Sequence, residues 1–153
     1  MIASATEFKQ EGNQALVSIG RAAARLGVSE RTLRYYEEIG LLAPVDHTPG
    51  RIRRYSEAEM ARVGRIKELR DLMGFNLDEI RSILGNEDRL QELREEYRAG
   101  VAGPRRAALL GECLDLQEDL RAKVVAKAAL LGDFLAELDA RIAKTRAVAC
   151  VGE

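Results

Sequence analysis

Ser29-Glu-Arg-Thr-Leu-Arg-Tyr-Tyr-Glu-Glu-Ile-Gly40 is the stretch on which the reading of this chain turns. Ser29 offers its hydroxyl as a helix N-cap, Leu33, Tyr36 and Ile39 recur at helical spacing, and Gly40 closes the element. That leaves Arg31, Arg34 and Tyr35 on the outer side of a short helix. An arginine can bridge two acceptors on a guanine edge, and a tyrosine or cap-serine hydroxyl can hold a phosphate. Two arginines and two tyrosines on one short helix after a tight turn suit a reader of the DNA major groove.

Working outward, Ser18 is placed to cap a preceding helix in which Ile19, Ala22, Ala23 and Leu26 share a face, and Gly27 marks its end. On the far side, Pro44 and Thr48-Pro-Gly50 interrupt any helical pattern. Ile52 and Tyr55 then flank a basic pair in a stretch compatible with a two-stranded ribbon, which predicts a wing carrying Arg51, Arg53 and Arg54. Cations there would add sequence-independent affinity that falls as salt rises. Ser56-Glu-Ala-Glu59 matches a capping box and opens a helix with the stripe Met60, Val63, Ile66 and Leu69, ended by Gly74. Asn76-Leu-Asp-Glu79 repeats that logic for a fourth helix buried through Leu77, Ile80 and Leu84. Residues 17–84 therefore read as one compact winged domain, and residues 1–16 as a flexible lead-in without an assigned role.

Bulk charge says little, at −1 for 153 residues, but its placement is uneven. Residues 17–70 hold eleven Lys and Arg against seven Asp and Glu, and the remainder is net acidic. The two cysteines, Cys113 and Cys150, form no CxxC pair, so neither a disulfide scaffold nor a four-ligand zinc module is expected. No apolar run approaches the roughly twenty residues of a membrane span, and the first sixteen residues lack the pattern of a secretion signal. The expectation is a cytoplasmic protein with no membrane partner, no metal and no cofactor. A lone histidine, His47, with no glycine-rich phosphate loop and no nucleophile beside a base, argues against an enzyme.

Residues 85–103 read as a charged connector with room for one more short helix through Leu90, Leu93 and Tyr97. Pro104 then suits the first position of the longest helix pattern, which reaches about Val148 within a final segment, 104–153. There Val124, Ala128, Leu131, Leu135, Leu138 and Ile142 alternate in steps of four and three, a heptad seam. Leu109, Cys113, Leu116 and Leu120 follow the same rhythm, and the step from Leu120 to Val124 is a four where a three was due, a stutter. A helix of some forty residues spans roughly 60 Å and cannot bury its seam on so small a domain. Antiparallel pairing with a second copy is the economical solution, with Leu116, Leu120, Val124, Leu131, Leu135, Leu138 and Ile142 as dimerisation contacts. The fold class expected is mainly all-α: a winged helix-turn-helix domain with a small β-ribbon wing, followed by a long antiparallel coiled-coil dimerisation helix.

Val17-Ser-Ile-Gly-Arg-Ala-Ala-Ala-Arg-Leu-Gly-Val-Ser29, Thr32-Leu-Arg-Tyr-Tyr-Glu-Glu-Ile-Gly-Leu-Leu42, Arg53-Arg-Tyr-Ser56 and Gly74-Phe-Asn-Leu-Asp-Glu-Ile80 resemble the MerR family of bacterial transcription regulators. The resemblance covers residues 17–84. It implies a homodimer on a near-palindromic operator, bending and untwisting double-stranded promoter DNA so that two over-spaced elements realign for RNA polymerase. The DNA-contacting set is then Ser18, Ser29, Arg31, Thr32, Arg34, Tyr35, Tyr36, Arg51, Arg53 and Arg54.

No subclass of sensed signal is legible. Neither an appended drug- or cobalamin-binding domain nor four cysteines for an iron–sulfur centre are read here. Cys150 resembles the cysteine that metal-sensing members carry just after the coiled coil, without the following loop and second ligand. Cys113, at a seam position, reads first as a small apolar residue. Antiparallel pairing would bring Cys113 of one subunit towards Cys150 of the other, so a chelate or redox pair stays open as the effector site. His47 reads as a polar turn residue. The competing class is a helical adaptor whose basic face is incidental, and salt-dependent binding to duplex DNA separates the two.

Overall fold

The computed structural model describes residues 16–43 and 53–149. Pro44, His47, the Thr48-Pro-Gly50 cluster, Arg51, Ile52 and Cys150 lie outside the described residues, as does the lead-in before Leu16. The chain divides into two compact units between Arg81 and Ser82, a boundary that falls inside a helix.

The first unit begins with strand β1 (Val17–Ser18) and helix α1 (Ile19–Leu26), in which Ala22 and Ala23 are buried. Gly27 ends α1 at φ 62°, a left-handed conformation that costs a residue without Cβ little. There the Val28 N–H donates to Ala23 O at 3.1 Å, closing the turn. Helix α2 (Glu30–Glu38) follows, buried through Leu33 and Tyr36. Strand β2 (Arg54–Tyr55) pairs antiparallel with β1, Val17 opposite Tyr55 and Ser18 opposite Arg54.

This pairing supplies a small two-stranded ribbon and corrects the expected Ser18 cap. The partner of β2 is the strand before α1, a long-range pairing that local alternation does not reveal. Ser18, expected to cap α1 through its side chain, occupies the N-cap position without a side-chain cap bond, and its backbone is paired in the sheet.

Helix α3 (Glu57–Lys67) opens with the predicted capping box: Ser56 N donates to Glu59 Oε2 at 2.6 Å and Glu59 N to Ser56 Oγ at 3.3 Å. Met60, Val63 and Ile66 are buried, and Leu69 continues the stripe into a π-helical turn (Glu68–Leu72). In an unbroken α-helix Leu72, three residues on from Leu69, would fall near the same face. The wider turn carries it into solvent, where it is 81% exposed. Asn76 and Glu79 exchange cap bonds of 2.7 and 2.9 Å to start helix α4 (Leu77–Arg98).

α4 runs 22 residues straight through Gly85, the expected start of a connector. A single exposed glycine costs a helix about 1 kcal/mol, too little to outweigh the burial of Ile83 and Leu84 before it and Leu90 and Leu93 after it. The connector helix predicted through Leu90, Leu93 and Tyr97 is thus the later part of α4.

In the second unit α4 and the 47-residue helix α5 (Gly103–Ala149) form an antiparallel hairpin. Leu90, Leu93 and Leu109 are buried. Asn86 donates to Asp119 at 2.7 Å, Arg89 grips Glu112 at 2.6 and 3.1 Å, and Arg105 grips Glu96 at 2.6 and 2.7 Å. Farther along α5, Val124, Leu131, Leu135 and Ile142 are exposed, while Leu116, Leu120 and Leu138 are half-buried.

Candidate nucleic-acid interface

Two local features fix α2. The Ser29 hydroxyl accepts from Thr32 N at 3.0 Å and shares a 2.8 Å hydrogen bond with the Thr32 hydroxyl, so one predicted contact residue caps the helix and is bonded to another. Leu33 and Tyr36 turn inward, which leaves Arg31, Arg34 and Tyr35 exposed on one face. Arg34 pairs with Glu30 one turn earlier at 2.9 Å, with both side chains close to half exposed. Such a surface pair is worth about 0–1 kcal/mol and can be exchanged for a ligand. Arg31 has no hydrogen-bond or ion-pair partner among the described residues.

Tyr36 stands apart from the other predicted contacts. It is 1% exposed, and its hydroxyl accepts from Arg70 Nη1 at 2.6 Å, while Arg70 also binds Asp71. Burial pushes the Tyr36 phenol above its ordinary value, against the opposing pull of the Arg70 charge, so it stays protonated at neutral pH. Its neighbour Tyr35 is 46% exposed, the two rings 6.4 Å apart. Of the two tyrosines, Tyr35 is on the accessible face.

Arg53 and Arg54 also differ. Arg53 Nε donates to Glu37 Oε2 at 3.0 Å, and the buried Tyr55 hydroxyl donates to the other oxygen of the same carboxylate. Glu37, only 11% exposed, thereby ties α2 to the segment around β2. Arg54 is exposed, has no partner among the described residues, and sits opposite Ser18 in the sheet register. Strand pairing so brings together two predicted contact residues far apart in sequence.

Several cations counted in the basic excess serve inside the fold. Lys67 Nζ donates to Leu26 O at 2.5 Å at the end of α1. Arg62 Nε reaches Leu41 O, and Arg81 Nη2 reaches Ile39 O, both at 2.7 Å, just beyond α2. Cations at these carbonyls satisfy groups the helices leave open and favour the negative ends of their dipoles. Glu37, Arg62, Lys67 and Arg81 were not singled out from the sequence. Arg21, on α1 and exposed with no partner among the described residues, was also missed, although it lies in the Gly-Arg-Ala-Ala stretch quoted above.

Cys113 is a half-buried free thiol. Among the described residues no three His, Cys, Asp or Glu side chains gather as a cation would need. No described helix is long and apolar enough to cross a membrane.

A short helix, a glycine turn, a capped helix with an exposed arginine and tyrosine face, and a small sheet beside it define a winged helix-turn-helix domain. Residues 17–87, a little under half of the chain, match the family described as MerR HTH family regulatory protein. It is 44% identical over 78 residues to a mercuric resistance operon regulatory protein of Pseudomonas fluorescens, covering 51% of this chain and 54% of that one. It is 33% identical over 81 residues to the HTH-type transcriptional regulator YfmP of Bacillus subtilis, covering 53% and 58%. The chain thus spans just over half the length of these relatives. The fold is similar to that of HiNmlR, titled a MerR family regulator lacking the sensor domain and bound to promoter DNA, with TM-score 0.53 and 22% identity over 90% of this chain and 96% of that one.

Proposed function

We propose that this chain is a DNA-binding transcription regulator that acts in the cytoplasm as a homodimer. The exposed face of α2 enters the major groove: Arg31 and Arg34 reach base edges, and Tyr35, Ser29 and Thr32 hold phosphates. Ser18, Arg53 and Arg54, with Arg51 beyond the described residues, line the flanking backbone. Tyr36 acts indirectly, by setting α2 on its core. The exposed seam of α5, Val124, Leu131, Leu135 and Ile142 with Leu116, Leu120 and Leu138, pairs antiparallel with that of a second copy. The dimer bends and untwists promoter DNA for RNA polymerase in response to a signal still to be identified, and it is a regulator without catalytic chemistry.

The observation that carries this reading is the exposed, weakly committed Arg31, Arg34 and Tyr35 face within a segment matching the family. Titrating duplex DNA with the full chain over a salt series tests it: affinity at low salt that falls steeply as salt rises supports it, and no binding at low salt overturns it. Arg34→Ala is expected to cost about 1–3 kcal/mol on a preferred site and much less on random duplex. Equal losses on both would make Arg34 a phosphate contact.

A further inference from the structure

The apolar seam of α5 has the same spacing in both directions. Leu120 and Val124 flank the stutter, Leu116 and Ala128 stand four residues farther out, Cys113 and Leu131 three more, and Leu109 and Leu135 another four. We propose that two copies pair antiparallel about a two-fold axis level with Ala122, and that Leu131, Phe134 and Leu135 of each copy fill the groove between α4 and α5 of the other. This rests on the homodimer proposed above and specifies how that dimer is built.

The seam selects the register. A two-fold axis at its centre sets Leu120 opposite the partner's Val124, Leu116 opposite the partner's Ala128, Cys113 opposite the partner's Leu131 and Leu109 opposite the partner's Leu135. Every layer is apolar, and the two small residues, Cys113 and Ala128, each meet a leucine, so large faces small. A slip of one heptad loses this match. In one direction it sets Leu116 opposite the partner's Arg121, and in the other Val124 opposite the partner's Lys127.

The groove supplies the second observation. Bonds from α4 reach α5 at Arg105, Glu112 and Asp119, and from Val124 onward the large apolar side chains of the seam are exposed or half-buried. Between the two helices lies an open groove of about 170 Å³, with Leu93, Tyr97, Leu109, Leu110 and Cys113 along it. The register brings the partner's Leu131, Phe134 and Leu135 level with Cys113, Leu110 and Leu109. A cavity of about 150 Å³ accepts benzene, so the groove has room for a phenyl ring.

Leu130 and Phe134 continue, at helical spacing, the edge of α5 that Glu112 and Asp119 present to α4. A two-fold axis keeps that edge on the same side of both copies, so the partner's Leu130 and Phe134 come beside α4. This accounts for their exposure in the single chain, 66% and 55%, away from the strict heptad positions. A helix seated against two neighbours needs a wider apolar stripe than one in a two-stranded coil.

The test is oxidative cross-linking of the full chain in a Cys113→Ser, Cys150→Ser background, read on non-reducing gels. Leu116→Cys with Ala128→Cys is expected to give a covalent dimer. Neither substitution alone should do so, because each residue lies roughly 18 Å along the axis from its counterpart in the partner. Leu116→Cys with Leu135→Cys reports a slip of one heptad and should not cross-link. In sedimentation equilibrium Phe134→Ala, at an exposed helical position, is expected to raise the dimer dissociation constant by about tenfold or more, since a ring leaves each groove. A two-stranded coil that leaves Phe134 in water predicts no change. Leu131→Asp, which sets a charge in the same groove, is expected to give a monomer. The proposal is overturned, with the homodimer left standing, by cross-linking of a single variant or of the slipped pair, by no cross-link in a chain that sediments as a dimer, by an unchanged constant for Phe134→Ala, or by a dimer that survives Leu131→Asp. An unaltered chain that sediments as a monomer at every concentration overturns both.

Discussion

Glu37 shows how one side chain can set a recognition element without touching its ligand. It takes a hydrogen bond from Tyr55 and an ion pair from Arg53, and it is nearly buried while doing so. A hydrogen bond to a charged group that has little access to water contributes about 1.5–3 kcal/mol. Tyr55→Phe keeps the ring and removes the donor, so urea unfolding is expected to show a loss in that range; a change within about 0.5 kcal/mol would mean that Arg53 alone satisfies the carboxylate. The Tyr55 phenol is held far above its ordinary value, chiefly by burial and then by its bond to Glu37, so this contribution is constant across the neutral range. The Ser29, Ser56 and Asn76 caps were legible in the sequence because their partners lie within one turn. Glu37 was not, because its partners lie sixteen and eighteen residues away, and Lys67 and Arg81 find their carbonyls at separations of 41 and 42.

α4 marks where local pattern reading stopped. Gly85 looked like punctuation, yet the helix continues through it because apolar residues on both sides are buried. A Cβ at Gly85 would meet nothing within 4 Å, so Gly85→Ala is expected to raise stability by about 0.5–1 kcal/mol in thermal unfolding. Destabilisation there would show that the helix breaks. The hairpin beyond it is held by acid–base pairs whose titration has a definite sign. The Arg89 hydrogen bond lowers the Glu112 carboxyl and the Arg105 hydrogen bond lowers that of Glu96, while within α5 the Lys123 hydrogen bond does the same at Asp119, which also accepts from Asn86 on α4. Folded values below the unfolded ones mean that these pairs contribute fully above the ordinary carboxylate range and lose that contribution as pH falls through the folded values. Amide exchange on residues 86–119 is expected to accelerate, after correction for the intrinsic rate, below about pH 4 relative to pH 6. Unchanged protection would mean that these pairs are solvent-separated. All are at least a third exposed on one side, so the effect is modest.

For the protein as a unit, the seam of α5 and the face of α2 belong to one proposal. A 47-residue helix leaves Val124, Leu131, Leu135 and Ile142 in water, and Leu130 and Phe134, which the heptad reading passed over, are exposed beside them at 66% and 55%. Periodicity made the seam readable, whereas those two residues lie off the strict a and d positions and show only in the exposed surface. A second copy covering this stripe would join two α2 faces in one molecule, and DNA would then be read as two related half-sites. The decisive measurement is selection from a random duplex library by the full chain, followed by sequencing of the bound fraction. An inverted repeat with constant spacing is expected, reduced to single half-sites for Leu131→Asp; a lone unrepeated motif, or no enrichment at low salt, would contradict the dimeric promoter reader.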